Sequence, residues 1–212
     1  MTPILIDAEV LTPFYYHGHY AMDGSATDPG VITDTTLLFA LRAALLGTSP
    51  LLRGQPDYRA DLQKIPWRAS LLMGVGSNDL LPPLRRTVDM DKEGGRSARM
   101  QKNMSSGFYK NQFFTHSVKP GAEYYGLVVG PNPFILAEND ELLVRIGVGR
   151  TGLLRLRRSI LEREVRLNAA TAQLFRRPVE AEYRILDTIR PSRPYTVAEA
   201  LKELYAWLPN PR

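Results

Sequence analysis

The sequence predicts an α+β fold, on three observations. Residues 3–12 alternate apolar and polar side chains as a half-buried strand does. Residues 33–46 are leucine-rich, carry a single basic residue and read as a buried helix. A glycine loop, Gly147, Gly149 and Gly152, joins a strand-like segment to a second, arginine-rich one.

Taken in order, Pro3–Thr12 places Ile4, Ile6, Ala8 and Val10 on one face. Phe14–Tyr20 is dense in aromatics and leads into a turn-rich loop from Asp23-Gly24 to Asp28-Pro29-Gly30. Thr33 or Asp34 caps the helix, Leu37, Leu38, Leu41 and Leu45 form its buried face, and Gly47 stops it. Residues 48–66 are punctuated by Pro50, Pro56 and Pro66 and read as irregular, before a strand over 67–76. From Leu84 to Lys119 the chain turns polar and basic, with too few aliphatics to build a core. It reads as a long excursion, a hairpin that orders on its partner. Glu123–Val129 is a strand, stopped by Gly130-Pro131-Asn132-Pro133. Glu141–Val148 reads as a strand, or a helix passing into one, that enters the glycine loop. The exit runs from Leu153 to about Leu167. If extended, it turns Leu154, Leu156 and Ile160 one way and Arg155, Arg157 and Ser159 the other. Ala181–Leu186 reads as a short strand and Val197–Trp207 as an amphipathic helix capped by Thr196.

The chain has 212 residues, 44% of them hydrophobic, enough for a real core. It contains no cysteine, which excludes disulfides and thiolate chemistry and fits the cytoplasm. There is no apolar run of membrane-spanning length, and the first ten residues have no basic signal-peptide start. The net charge of +5 is unevenly placed. Residues 85–119 hold eight Lys/Arg against three acidic residues, and residues 150–177 hold eight Arg against two. Two basic segments in an otherwise acidic chain are the footprint of a polyanion-binding protein; the alternative is a pair of solvated basic surfaces.

The chemistry left open at this level has two branches. In the first, Arg85, Arg86, Arg96, Arg99, Lys102, Lys110, Arg150, Arg155 and Arg157 contact phosphate, and Phe108 and Tyr109 stack on unpaired bases or anchor the excursion. In the second, His17, His19 and His116, the only histidines, supply general acid–base catalysis. No carboxylate cluster accompanies His17 and His19, so no metal or other cofactor is expected, and no phosphate-binding glycine loop of the nucleotidase kind occurs.

The order of strand, aromatic Phe14–Tyr20, helix to Gly47, basic excursion, Arg145-Ile146-Gly147 with its glycine loop, and a later Leu167-Asn168 resembles the RAMP superfamily of CRISPR-associated proteins. Within it the chain looks most like the subunit that caps the 5′ handle of the guide RNA, of a type I-D-like or type IV-like complex. The resemblance implies one ferredoxin-like, RNA-recognition-type domain over 1–212, with 84–119 as a protruding basic thumb. It implies a cytoplasmic, non-catalytic guide-RNA-binding subunit of a Cascade-like surveillance complex in antiviral defence. The implied partners are the guide RNA, the repeating backbone subunit and the large subunit, and it leaves open a contact with target DNA beside the protospacer. Some relatives are instead metal-independent endoribonucleases that process the guide precursor, and that remains the alternative. The glycine loop here is shorter than the superfamily's usual one.

Overall fold

In the computed structural model, which describes residues 3–16, 19–21, 24–47, 58–87, 112–135 and 137–208, the N-terminal alternation becomes strand β1 (Ile4–Val10). Ile4, Ile6, Ala8 and Val10 are buried and the residues between them half-buried. Two short strands follow, β2 (His19–Ala21) and β3 (Gly24–Ala26), then β4 (Val31–Ile32) and helix α1 (Asp34–Leu45). Thr33 caps α1 by accepting from the Thr36 amide. Gly47, just beyond it, adopts φ +72°, which its missing Cβ permits.

The remaining elements are α2 (Tyr58–Lys64), β5 (Arg68–Ala69), β6 (Leu72–Gly74), β7 (Leu84–Thr87), β8 (Gln112–His116), β9 (Glu123–Val129), β10 (Glu141–Ile146), β11 (Gly152–Arg158), β12 (Val165–Asn168), α3 (Ala169–Leu174), β13 (Pro191–Tyr195) and α4 (Val197–Trp207). The main sheet runs β10-β11-β1-β9-β6-β4, with β5 also on β9, and every pair in it is antiparallel.

The chain is thus mixed α/β around an antiparallel sheet. Its central order β11-β1-β9-β6, with α1 following β1, is that of a ferredoxin-like core. Between the third and fourth of these strands, where that fold carries a second helix, the chain runs β10. Its Glu-Leu-Leu-Val-Arg-Ile alternates with period two and pairs residue by residue with β11.

One face of the sheet packs Ile6, Val10, Tyr124, Val128, Val144, Leu154 and Leu156 under α1 and α2. On the other face the C-terminal unit covers one end: Leu127 and Val129 meet Val165, Leu167, Ala200, Leu204 and Trp207. Thr196 and Glu199 form the capping box of α4. A buried arginine joins this unit to the core. Arg68, 1% exposed, donates from Nε to Trp207 O (2.8 Å) and from Nη1 to Ile65 O (2.7 Å) and Trp67 O (2.6 Å), and lies over the Phe175 ring. Burial lowers its pKa from the usual arginine range to about 10.

Several expectations are corrected. Residues 58–64 of the stretch read as irregular are helical, because Leu62 and then Ile65 anchor one face in the core. The exit from the glycine loop is two strands, broken at 159–164, so Ile160 is not on the apolar face but 98% exposed. Ala181–Leu186 forms isolated bridges, and the strand of that region is β13. For the basic excursion, β7 and β8 pair antiparallel at its base, Leu84 with Thr115 and Thr87 with Gln112. The segment between them, with Arg96, Arg99, Lys102, Phe108, Tyr109 and Lys110, lies outside the described residues.

Candidate nucleic-acid interface

The glycine loop is a tight turn docked on the aromatic segment. Gly147 and Gly149 take φ +78° and +67°, and Arg150 follows at +56°. Val148 N donates to Tyr15 O (3.0 Å) and Arg150 N to Gly147 O (3.0 Å). Thr12 ties the far side, its hydroxyl donating to Thr151 O and accepting from Leu153 N. A Cβ on Gly152 would lie 2.4 Å from Phe14 Cβ, so glycine is required there by packing. Two of the three glycines thus allow left-handed backbone, and the third lets strand and aromatic segment touch.

Beside this turn lies a cavity of about 670 Å³, walled by α1 (Thr36, Phe39, Ala43), Leu62, Ile146 and Val148. Arg59, Arg145 and Arg150 stand around it, from α2, the end of β10 and the turn, and among the described residues no carboxylate lines it. Tyr16 forms part of the wall, and burial raises its hydroxyl's pKa well above the usual tyrosine range, so it stays neutral. Among the described residues, none of these three guanidiniums has an ion-pair partner.

The other arginines of the second basic segment are arranged differently. On the sheet face away from α1, register sets Arg155 between Leu143 and Glu9, and Arg157 between Glu141 and Asp7. Arg155 Nη2 lies 2.5 Å from Glu9 Oε2 and Arg157 Nε 2.7 Å from Glu141 Oε1. The Glu9 hydrogen bond raises the Arg155 pKa further. Arg158 pairs with Asp140, Arg163 with Asp7, Arg166 with Glu182 and Arg177 with Glu203. Arg163 also covers the ring of Tyr125, 5.0 Å from its centroid. Most of the positive charge of 150–177 is therefore neutralised by carboxylates distant in sequence, and Arg150 is brought together with Arg145 and Arg59 instead.

Arg85 and Arg86 lie on β7, opposite Phe114 and Phe113. Strand pairing sets His19 and His116 in one row, each opposite Ala26 of β3. His17 lies outside the described residues. No group of three or more metal-ligating side chains occurs among the described residues. Nor is any described helix long and apolar enough to cross a membrane. Arg59 and Arg145 were not singled out as binding residues in the sequence. The signal for Arg59 was its i, i+3 spacing to Leu62, which sets both on one face of a short helix, and both line the cavity.

No family model matches the chain, and no curated protein does. Among solved structures, it is similar to a chain of the type III-B Cmr-beta complex bound to cognate target RNA and AMPPnP. Identity is 13% and the TM-score 0.42, over 77% of this chain and 67% of that one. A chain of the same complex bound to cognate target RNA gives 15% identity and a TM-score of 0.41, over 77% and 68%.

Proposed function

We propose that the chain is a non-catalytic guide-RNA-binding subunit of a CRISPR interference complex, one that caps the 5′ handle and contacts the neighbouring backbone and large subunits. The observation that carries the RNA-binding part is the cavity beside the glycine turn. Three arginines from three elements surround an apolar space that, among the described residues, no carboxylate lines. Guanidiniums without protein partners are the ones free to exchange water for phosphate. The apolar walls suit the faces of unstacked bases, as in single-strand RNA recognition. Arg85 and Arg86, at the base of the basic excursion, extend the same reading toward a thumb laid along the strand. The neutralised open face of the sheet is given no RNA in this account.

The test is equilibrium binding of a guide-length single-stranded RNA across a range of salt. The slope of log K against log salt should be about −0.7 per phosphate neutralised, so engaging three cavity arginines predicts roughly −2 or steeper. A flat dependence contradicts the proposal. The second reading, a metal-independent endoribonuclease, draws on the row shared by His19 and His116. It predicts cleavage of a guide precursor in EDTA that His116→Ala abolishes, whereas the non-catalytic reading predicts no cleavage by either protein.

A further inference from the structure

We propose that two copies of this chain associate through β10, pairing their edge strands antiparallel across a two-fold axis at Leu143. This goes beyond the RNA-binding reading; the two share Arg145, and the dimer is tested without RNA. β10 ends the main sheet and, among the described residues, pairs only with β11. Its six residues follow that partner in unbroken register. It contains no proline, glycine or lysine, and no bulge interrupts it. Proline, lysine and bulges are among the devices that keep a sheet edge from adding another strand, and this edge has none of the three; its charges are Glu141 and Arg145. Leu143, at the middle of the strand, is 51% exposed on the open face.

The sequence of the strand says what would cover it. Antiparallel pairing about Leu143 puts Glu141 opposite the partner's Arg145 and Arg145 opposite the partner's Glu141. Leu143 meets its own copy on the axis. By register all three positions fall on the face that carries Arg155 and Arg157, and Arg145, at the exposed end of the strand, also borders the cavity beside the glycine turn. On the other face, Leu142 meets the partner's Val144 and the reverse, which continues the apolar row already formed by Leu154 and Leu156. Every directly opposed pair within 141–145 is therefore ionic or apolar, the combinations that stabilise antiparallel neighbours. A strand of unrelated sequence would not satisfy both ends, whereas a second copy does so by symmetry. The existing pair is compatible with this, because Arg157 hydrogen-bonds one carboxylate oxygen of Glu141, Oε1. Two strands bury little surface, so the dimer is expected to be weak and seen at high concentration.

Sedimentation velocity of the full chain over a wide concentration range tests it. The wild type should pass from monomer to dimer as concentration rises. Leu143→Lys, at an exposed position, sets two like charges on the axis and should leave only monomer. Glu141→Arg or Arg145→Glu alone should weaken the dimer by about tenfold or more, since each breaks two symmetry-related pairs. Combining the two swaps restores opposite charges across the axis and should recover the dimer. Hydrogen exchange on the wild type gives an arm that needs no variant: the amides of 141–146 should gain protection as concentration rises. A wild type that stays monomeric throughout, a combined swap no better than either single one, or protection independent of concentration would each overturn the proposal.

Discussion

Replacing Arg68 by methionine keeps most of the side chain's length and removes every donor at the junction between the core and the C-terminal helix. The guanidinium makes three short hydrogen bonds, to Trp207 O, Ile65 O and Trp67 O, at 2.6–2.8 Å. The Trp207 and Ile65 carbonyls lie at the C-terminal ends of α4 and α2, where helix dipoles favour a cation. A hydrogen bond from a charged donor contributes about 1.5–3 kcal/mol, and three together set an upper limit of roughly 5–9 kcal/mol. Burial opposes them, as the fall of the Arg68 pKa to about 10 shows. The net loss in Arg68→Met is expected to be about 3–4 kcal/mol, part of it from carbonyls left buried without a donor. In a chain of this size that lowers Tm by roughly 10 °C. Urea unfolding followed by tryptophan fluorescence suits the test, because the two tryptophans of the chain, Trp67 and Trp207, both hold this arginine. Arg68→Lys keeps the charge but a single compact donor group, so it should recover less than half of the loss. A methionine variant within 1 kcal/mol of wild type, with unchanged emission, would refute the reasoning.

Asp34 is 1% exposed, accepts from Asn168 Nδ2 at 2.9 Å, and burial raises its pKa from 3.8 to about 6. The native state thus holds a proton that the unfolded chain releases between these two values, and stability falls as pH rises from about 4 to 6. Asp34→Asn removes that dependence. Relative to wild type it should gain up to roughly 3 kcal/mol between pH 4 and pH 7 in urea titrations, and parallel pH profiles would count against this. Gly152→Ala should destabilise by about 1–3 kcal/mol, because its Cβ would meet Phe14 Cβ and Ile146 O, and a neutral result would show that the aromatic segment yields.

What was legible in the sequence was whatever depends on near neighbours. The alternation of Ile4, Ile6, Ala8 and Val10, the Thr33 and Thr196 caps and the paired strands around the glycine loop were all readable, because each follows from local spacing. β13 was not, since Pro191 and Pro194 argue against a strand. They are tolerated because, among the described residues, β13 forms a strand ladder with β12 alone, its other side carrying a single bridge from Ser192 to Ala181. α3 is six residues long, too short for a helical period to declare itself. The candidate site was half legible. Glycines and arginines could be named, but not which arginines are neutralised, because Arg155 and Glu9 are 146 residues apart in the chain and meet only through the sheet. The same distance hid the grouping of Arg59 with Arg145 and Arg150, which come from different layers of the fold.

The contrast between these two sets of arginines is the direct test of the RNA-binding account. Affinity for a guide-length single-stranded RNA is measured across a range of salt for Arg59→Ala, Arg145→Ala and Arg150→Ala, and for Arg155→Ala and Arg157→Ala. Losing a phosphate contact also removes one released counterion, so each of the first three should weaken binding and flatten the salt slope by about 0.7. Arg155 and Arg157 are held by Glu9 and Glu141, and their removal should leave both affinity and slope near those of the wild type. Equal losses in the two sets, or losses confined to Arg155 and Arg157, would contradict the account and move the RNA to the open face of the sheet.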